Sequence, residues 1–450
     1  VMCGVVGLFL LIPCLVVAEE KSQEDRIKEL ERKLQGITEE IQKLRSEGVE
    51  EQRIQEIERK IDVLAEEIEN IKSAAVVQEP TYEMIYGQGP AASKVYLTDK
   101  GVSIGGYGEA NAQFRENQNN VADMLRAVLY VGYKYNDRIV FNSEIEFEHG
   151  NTEENLDDQA GEVAVEFANL NFLINDYANL RAGLNLVPVG IINEVHEPTT
   201  FFGVLRPDVE RFIIPTTWRE LGVGAFGQII PGLNYRAYVI NGLDSRGFTG
   251  SEGIREGRGN GNRVRIDDVA FVTRAEYNGI PGLVLGGSFY IGGSGQNESV
   301  DGENIDGLVQ IYEADAQFQW RGLEARGLFA WIDIGDAGLI NENNGFEGDD
   351  SVGSELYGFY VEAGYNVLSL VDLSPYLQYF TPFVRFEKYD TQYRVPSGFM
   401  RDPANDRRLV TVGLSYKPIP NIVIKMDYQF RDNDADSADN QFNLGLGYVF

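Results

Sequence analysis

The chain has 450 residues, with 39 Lys and Arg against 70 Asp and Glu, a formal charge of −31 and 43% hydrophobic residues; its mean hydropathy is −0.24. These totals exclude a bundle of transmembrane helices, because the one long apolar run stands at the extreme N-terminus, and they speak against nucleic acid as a partner, since phosphate binding needs a basic surface. On totals alone the chain reads as an acidic, water-soluble protein of two or three domains, although 49 Gly and 23 Tyr are many for a chain with two Cys and two His.

Residues 1–18 read as a signal peptide, with an apolar stretch from Val5 to Val17 and small residues at Val16 and Ala18 for cleavage after Ala18. The stretch before it carries no Lys or Arg. Cys3 and Cys14 both lie within this leader, so disulfide and zinc readings lapse with it. Lipid attachment at Cys14 is the alternative, opposed by Ile12 and Pro13 where small residues are wanted.

Residues 19–73 contain no Pro, and their apolar residues fall in a 3,4 rhythm: Ile27, Leu30, Leu34, Ile37, Ile41 and Leu44, then Ile54, Ile57, Ile61, Leu64, Ile68 and Ile71. That is the seam of an α-helical coiled coil, and mixed Ile and Leu along it favours more than two strands. The break around Ser46-Glu47-Gly48 leaves two forms open, a register shift in one rod or a helical hairpin. A continuous helix of about 50 residues would reach about 75 Å. The segment serves either as an oligomerisation stalk or as a spacer that crosses the periplasm or touches peptidoglycan. A linker of Pro, Gly and Tyr, 74–100, follows.

From 101 to 450 the apolar period becomes two. In Arg138–Glu148, Ile139, Phe141, Ile145 and Phe147 alternate with Asn142, Glu144, Glu146 and Glu148. Ile422, Ile424, Met426, Tyr428 and Phe430 alternate with Val423, Lys425, Asp427, Gln429 and Arg431. Sixteen such segments run from 102–112 to 442–450. Tight turns such as Asn136-Asp137, Pro231-Gly232 and Arg321-Gly322 alternate with long polar loops. Short links at one rim and long ones at the other predict an all-β transmembrane barrel of 16 antiparallel strands, porin-like, carrying the coiled coil at its N-terminus. A soluble sandwich would not segregate its loops in this way. Tyr133, Tyr235, Tyr277, Tyr365, Tyr416 and Tyr448 stand near strand ends, where an outer-membrane barrel carries aromatic girdles. A barrel of this size can hold water in its lumen. Both chain ends then fall at the short-turn rim, which puts the coiled coil in the periplasm.

Gly105-Gly106-Tyr107-Gly108-Glu109, Asn142-Ser143-Glu144-Ile145-Glu146-Phe147-Glu148-His149 and Arg181-Ala182-Gly183-Leu184 are similar to Gram-negative porins of the phosphate-selective porin O/P superfamily. The stretches from Val187 to Pro198 and from Pro215 to Gly222 resemble the same group. The resemblance covers about residues 100–450 and implies a homotrimeric channel in the cell outer membrane, in contact with its lipids and lipopolysaccharide. The rows of Arg and Lys that give characterised members their anion selectivity find no match here. The terminal Phe450 also resembles the signal read by barrel-insertion machinery.

By position and length, the third long loop, Pro188–Arg219, resembles the porin loop that folds inward as a constriction. Glu194, His196, Glu197, Arg206, Asp208, Arg211 and Arg219 are its candidate constriction residues; the alternative is a loop that pairs its own charges at the rim. The two-residue period turns Glu144, Glu146, Glu148, Arg181, Arg236, Arg274, Arg326 and Arg385 toward the lumen. Arg255, Arg258, Arg263 and Arg265 of the next long loop fit either an anion-attracting mouth or a flexible Gly-rich loop. Asp349-Asp350 and the row Asp432, Asp434, Asp436 and Asp439 fit solvated acids or a loose Ca²⁺ site, without the Gly and distant Glu of an EF-hand. No other metal or cofactor is expected, and His149 and His196 have no partner in sequence that would make an enzyme. The expected function is passive diffusion of small polar solutes and ions; the alternatives are an envelope tether acting through the coiled coil and an anion-selective, phosphate-type channel.

Overall fold

The computed structural model describes residues 84–156, 160–370 and 379–450. The expectations for the leader, the coiled coil and the start of the linker fall outside these residues.

Sixteen strands form the wall: β1 (Gly101–Arg115), β2 (Val121–Asn136), β3 (Ile139–Glu148), β4 (Val163–Phe172), β5 (Asn179–Leu186), β6 (Arg219–Ile230), β7 (Leu233–Asn241), β8 (Val269–Ile280), β9 (Leu283–Gly292), β10 (Val309–Trp320), β11 (Leu323–Ile334), β12 (Glu355–Tyr365), β13 (Tyr379–Arg394), β14 (Asp406–Ile419), β15 (Ile422–Asn433) and β16 (Gln441–Val449). Each pairs antiparallel with the next, and β16 returns to β1 with Tyr107 opposite Val449, closing the barrel. Closure leaves no sheet edge unpaired.

The period of two sets the two faces. Along β15, Val423, Lys425, Asp427 and Gln429 are buried while Ile424, Met426 and Phe430 are exposed. Arg321 and Gly322 join β10 to β11 with φ of 48° and 86°, the left-handed pair that a two-residue hairpin turn needs. The first part of β1 and the C-terminal Phe450 meet at the short-turn rim, where Gly106 and Phe450 exchange backbone hydrogen bonds of 3.0 and 2.8 Å. Two links depart from the expected alternation: 116–120, at the long-loop rim, is short, and 366–378, at the other, includes a 3₁₀ turn at Val367–Leu370. β13 runs to Arg394, because its ladders with β12 and β14 continue where the burial pattern no longer alternates: Tyr389, Asp390, Thr391 and Gln392 are all buried.

Among the described residues, the interior is occupied at two places. At the long-loop end, inward residues of β7 to β12 such as Ile240, Val272, Tyr290, Ile311, Ile332 and Leu356 form one apolar cluster with Val189, Ile192, Ile213 and Trp218 of the third long loop. Along these strands the inward face is apolar where loops pack onto it. Near the other end lies a helix, α1 (Pro90–Leu97), within the segment expected to be linker. Pro90 suits the first helical turn, and Ala91 and Ala92 pack against Tyr107, Val128, Tyr130, Phe167 and Val449. Glycines of the wall admit these inserts: a Cβ on Gly132 would stand 2.5 Å from Val95, and one on Gly447 would stand 2.5 Å from Pro198.

Candidate functional site

The segment between β5 and β6, residues 187–218, crosses the inside of the barrel. Asn193 fixes its base, donating to the carbonyls of Val187 and Trp218 at 2.7 and 2.9 Å and accepting from the Trp218 amide at 2.7 Å. On one side it meets β3, β4 and β7 through His196 and Glu194. On the other, inward cations donate to its backbone carbonyls: Lys417 to Thr199, Arg326 to Thr200, Lys425 to Gly203 and Arg385 to Leu205. Asp427 and Glu387 accept from the amides of Val204 and Val209. The loop therefore spans the lumen on polar supports from opposite walls, and two further arginines clamp its end: Arg258 donates to the carbonyls of Pro215 and Thr216, and Arg255 to that of Thr216. Arg255 and Arg258 thus hold the third loop, a role that neither a mouth nor a flexible loop anticipates.

The loop residues singled out from the sequence sit in different settings. Glu194 pairs with Arg236 at 3.0 Å. Glu197 accepts from the Ala91 amide at 2.8 Å, tying the loop to the first turn of α1, and burial pushes its carboxyl up to about 7. Asp208 accepts from Arg431 at 2.8 Å and from the Tyr389 hydroxyl at 3.1 Å. Burial would raise that carboxyl, yet the guanidinium of Arg431 holds it below its ordinary value. Arg211 is exposed and lies over the Phe212 ring. Arg206 is half-buried, has no carboxylate within ion-pair distance among the described residues, and keeps Nη2 buried without a hydrogen bond. Arg219 lies on the wall, at the start of β6, and donates to Glu166 at 3.2 Å.

Of the wall residues, Glu144, Glu146, Arg181, Arg236, Arg274 and Arg385 point inward and are buried, Arg326 points inward and is half-buried, and Glu148 is half-exposed at the end of β3. Most are paired with opposite charges, across strands, along one strand or with the crossing loop. Arg274 holds Glu313 at 3.1 Å and Asp315 at 2.7 Å, Arg385 holds Glu387 at 2.7 Å, Arg326 pairs with Glu362, and Arg126 bridges Glu109 and Glu146. Arg181 instead donates to Asn171, to the Tyr238 hydroxyl and to the Tyr86 carbonyl. The partners Glu109, Arg126, Glu166, Glu313, Glu362, Glu387 and Asp427 were not singled out, although the same two-residue period assigns them inward. In the last loop Asp432 and Asp434 pair with Arg408, and Asp439 accepts from Asn117 and Gln118.

His196 brings together residues that the sequence keeps apart. Its Nε2 lies 2.8 Å from Glu166 and 3.3 Å from Glu144, while Nδ1 faces the Asn193 carbonyl at 2.8 Å. All three side chains are buried. Burial works against a charged imidazole, but Glu144 and Glu166 outweigh it and raise His196 to about 10. His149, by contrast, is half-exposed and pairs with Asp123 at 2.7 Å.

No family model matches the chain. An uncharacterized protein of Aquifex aeolicus (strain VF5) is 37% identical over 386 residues, which cover 83% of this chain and 86% of that protein. The barrel is similar to OmpF of Salmonella typhi, solved in complex with daunomycin, with a TM-score of 0.51 at 13% identity over 78% of this chain and 98% of that one. It is similar also to a loop L8 deletion mutant of OmpT, an outer membrane protein of Vibrio cholerae, with a TM-score of 0.50 at 12% identity over 78% of this chain and all of that one. At these identities the likeness is one of fold.

Proposed function

The chain belongs to one family with the Aquifex aeolicus protein, and we propose that it is an outer-membrane porin through which small hydrophilic solutes and ions diffuse. The observation that carries this reading is the reversed polarity of a closed barrel. Apolar side chains such as Ile104, Phe271, Val361 and Leu446 are exposed on the outside, while Glu, Arg, Asn and Gln fill much of the inside. An apolar outer band would be costly in water and is what a barrel presents to hydrocarbon. Tyr133, Tyr235, Tyr277, Tyr365, Tyr416 and Tyr448 all lie near the short-turn ends of their strands, in keeping with an aromatic girdle at one interface.

The apolar cluster of β7–β12 and the crossing loop confine water to the other side of the lumen. We assign the solute path to the wall of β15, β16, β1 and β2, where Glu109, Asn111, Arg126 and Asn433 keep slight exposure beside Arg206. Arg274, Arg326 and Arg385 are already paired with acids, and Lys417 and Lys425 are bonded to carbonyls of the crossing loop, so these inward cations do not form a free row. The reading is therefore general diffusion rather than phosphate selectivity, with Arg206 as one charge that passing ions would meet. A homotrimer, a periplasmic coiled coil, loosely held Ca²⁺ at the outer loops and the absence of an enzymatic site belong to the same proposal.

Liposome swelling tests it. Purified barrel in vesicles should admit sugars at rates that fall with solute size. Vesicles that admit none, with the protein shown to be folded, would overturn it.

A further inference from the structure

We propose that Glu144 of β3, Glu166 of β4 and His196 of the crossing loop form a binding site for one divalent transition-metal ion inside the barrel. The site does not depend on whether the barrel conducts.

Three different elements deliver the donors. The three donor atoms lie within 4.8 Å of one another, and His196 Nε2 is 2.8 Å from Glu166 Oε2 and 3.3 Å from Glu144 Oε1. Four donors at bond lengths of about 2.1 Å around a tetrahedral metal stand about 3.4 Å apart, so the set needs little movement to close on an ion. Two features go beyond an incidental cluster. Glu144 and Glu166 are fully buried, yet Glu144 Oε2 accepts no hydrogen bond, although a buried carboxylate oxygen is costly to leave without a donor. Glu166 Oε2 comes within 2.8 Å of the imidazole nitrogen, the shorter of that nitrogen's two carboxylate separations.

The outer contacts are those of a built site. His196 Nδ1 faces the Asn193 carbonyl at 2.8 Å, which fixes the ring and directs Nε2 to the carboxylates. The Tyr107 hydroxyl donates to Glu144 Oε1 at 3.3 Å, and Arg219 donates to Glu166 Oε1 at 3.2 Å, which leaves Glu166 Oε2 to face the ion beside His196 Nε2. Asn193 also ties both ends of the loop, so the ligand that the loop supplies rests on its most constrained part. One imidazole and two carboxylates, with no sulfur, suit Zn²⁺, Mn²⁺ or Fe²⁺.

The probe is Zn²⁺ added to full-length, detergent-purified protein previously treated with chelator and dialysed. Calorimetry and elemental analysis should find one Zn²⁺ per chain. His196→Asn and Glu166→Gln should each lose that equivalent, with affinity falling by more than the roughly 10- to 100-fold that outer-shell changes cost. Glu148→Gln, on the same strand and outside the trio, should keep it. Heat-dependent gel migration reports whether each variant has closed its barrel. Should the ligand variants fail to fold, Co²⁺ on the wild type decides, with visible d–d absorption expected of an N/O site. Uptake unchanged in folded variants, no stoichiometric uptake by folded wild type, no d–d absorption, or an imidazole NMR signal doubly protonated in the presence of Zn²⁺ would each overturn the assignment; the last would make His196 a cation held between two acids.

Discussion

Glu210 carries a titration that the barrel's stability should register. Its carboxylate accepts from the Ile192 amide at 2.7 Å and the Tyr360 hydroxyl at 2.6 Å, and burial holds it up at about 7 against an ordinary 4.5. As pH rises from about 4.5 to 7 the unfolded chain gives up this proton while the folded chain keeps it, so stability should fall across that window, by an amount on the order of 1–3 kcal/mol. Glu197, also raised to about 7, adds in the same sense. Urea midpoints at pH 5 and 8 should show the drop, and Glu210→Gln should flatten part of it; an equal drop in the variant would assign the dependence elsewhere. Arg206→Ala removes a crossing-loop cation that has no carboxylate within ion-pair distance among the described residues and a guanidinium nitrogen without a hydrogen bond. The reversal potential in a KCl gradient should shift toward cations, by about 0.5–1 kcal/mol or about two- to fivefold in permeability ratio. Residues on the wall were legible from the period of two, which is why Glu144 and Arg274 could be assigned a face. Contacts were not: Glu166 and His196 lie on different elements, 30 positions apart in the numbering, and only closure of the barrel brings the loop onto β4.

Helix α1 and the crossing loop are the elements that narrow the lumen, and they touch through Glu197 and the Ala91 amide. Removing residues up to 98 should enlarge the single-channel conductance while leaving β1 to β16 closed; an unchanged conductance would place the solute path away from α1. Gly447→Val would drive a side chain into Pro198 and should lower stability by about 1–3 kcal/mol, as overpacking does, seen as barrel opening at lower urea. The loop's inward course was an expectation from its length and position, with a rim loop as the alternative. What the sequence did not display was its apolar anchoring, since Val189, Ile192, Ile213 and Trp218 follow no regular period. Helix α1 hid for a simpler reason. A segment rich in Pro, Gly and Tyr reads as linker, although Gly89-Pro90-Ala91-Ala92 carries a helix-start signal.

Across the whole molecule, strand number, order and the two rims were readable because each follows from a local rule: period two for strands, tight turns between them, and antiparallel neighbours in chain order. The acidic total was the misleading quantity. Residues 19–73 hold 17 acids and 11 bases, so most of the −31 belongs to the barrel part. There the charge sits in loops and on an inward face, with apolar residues between, and an average over the chain conceals the alternation. Inward acids are largely matched by inward arginines among the described residues. The most direct test is the single-channel current of the purified, folded protein in a planar lipid bilayer. Discrete steps whose size scales with salt concentration are the expected result. A folded barrel that inserts and passes no current would contradict the account.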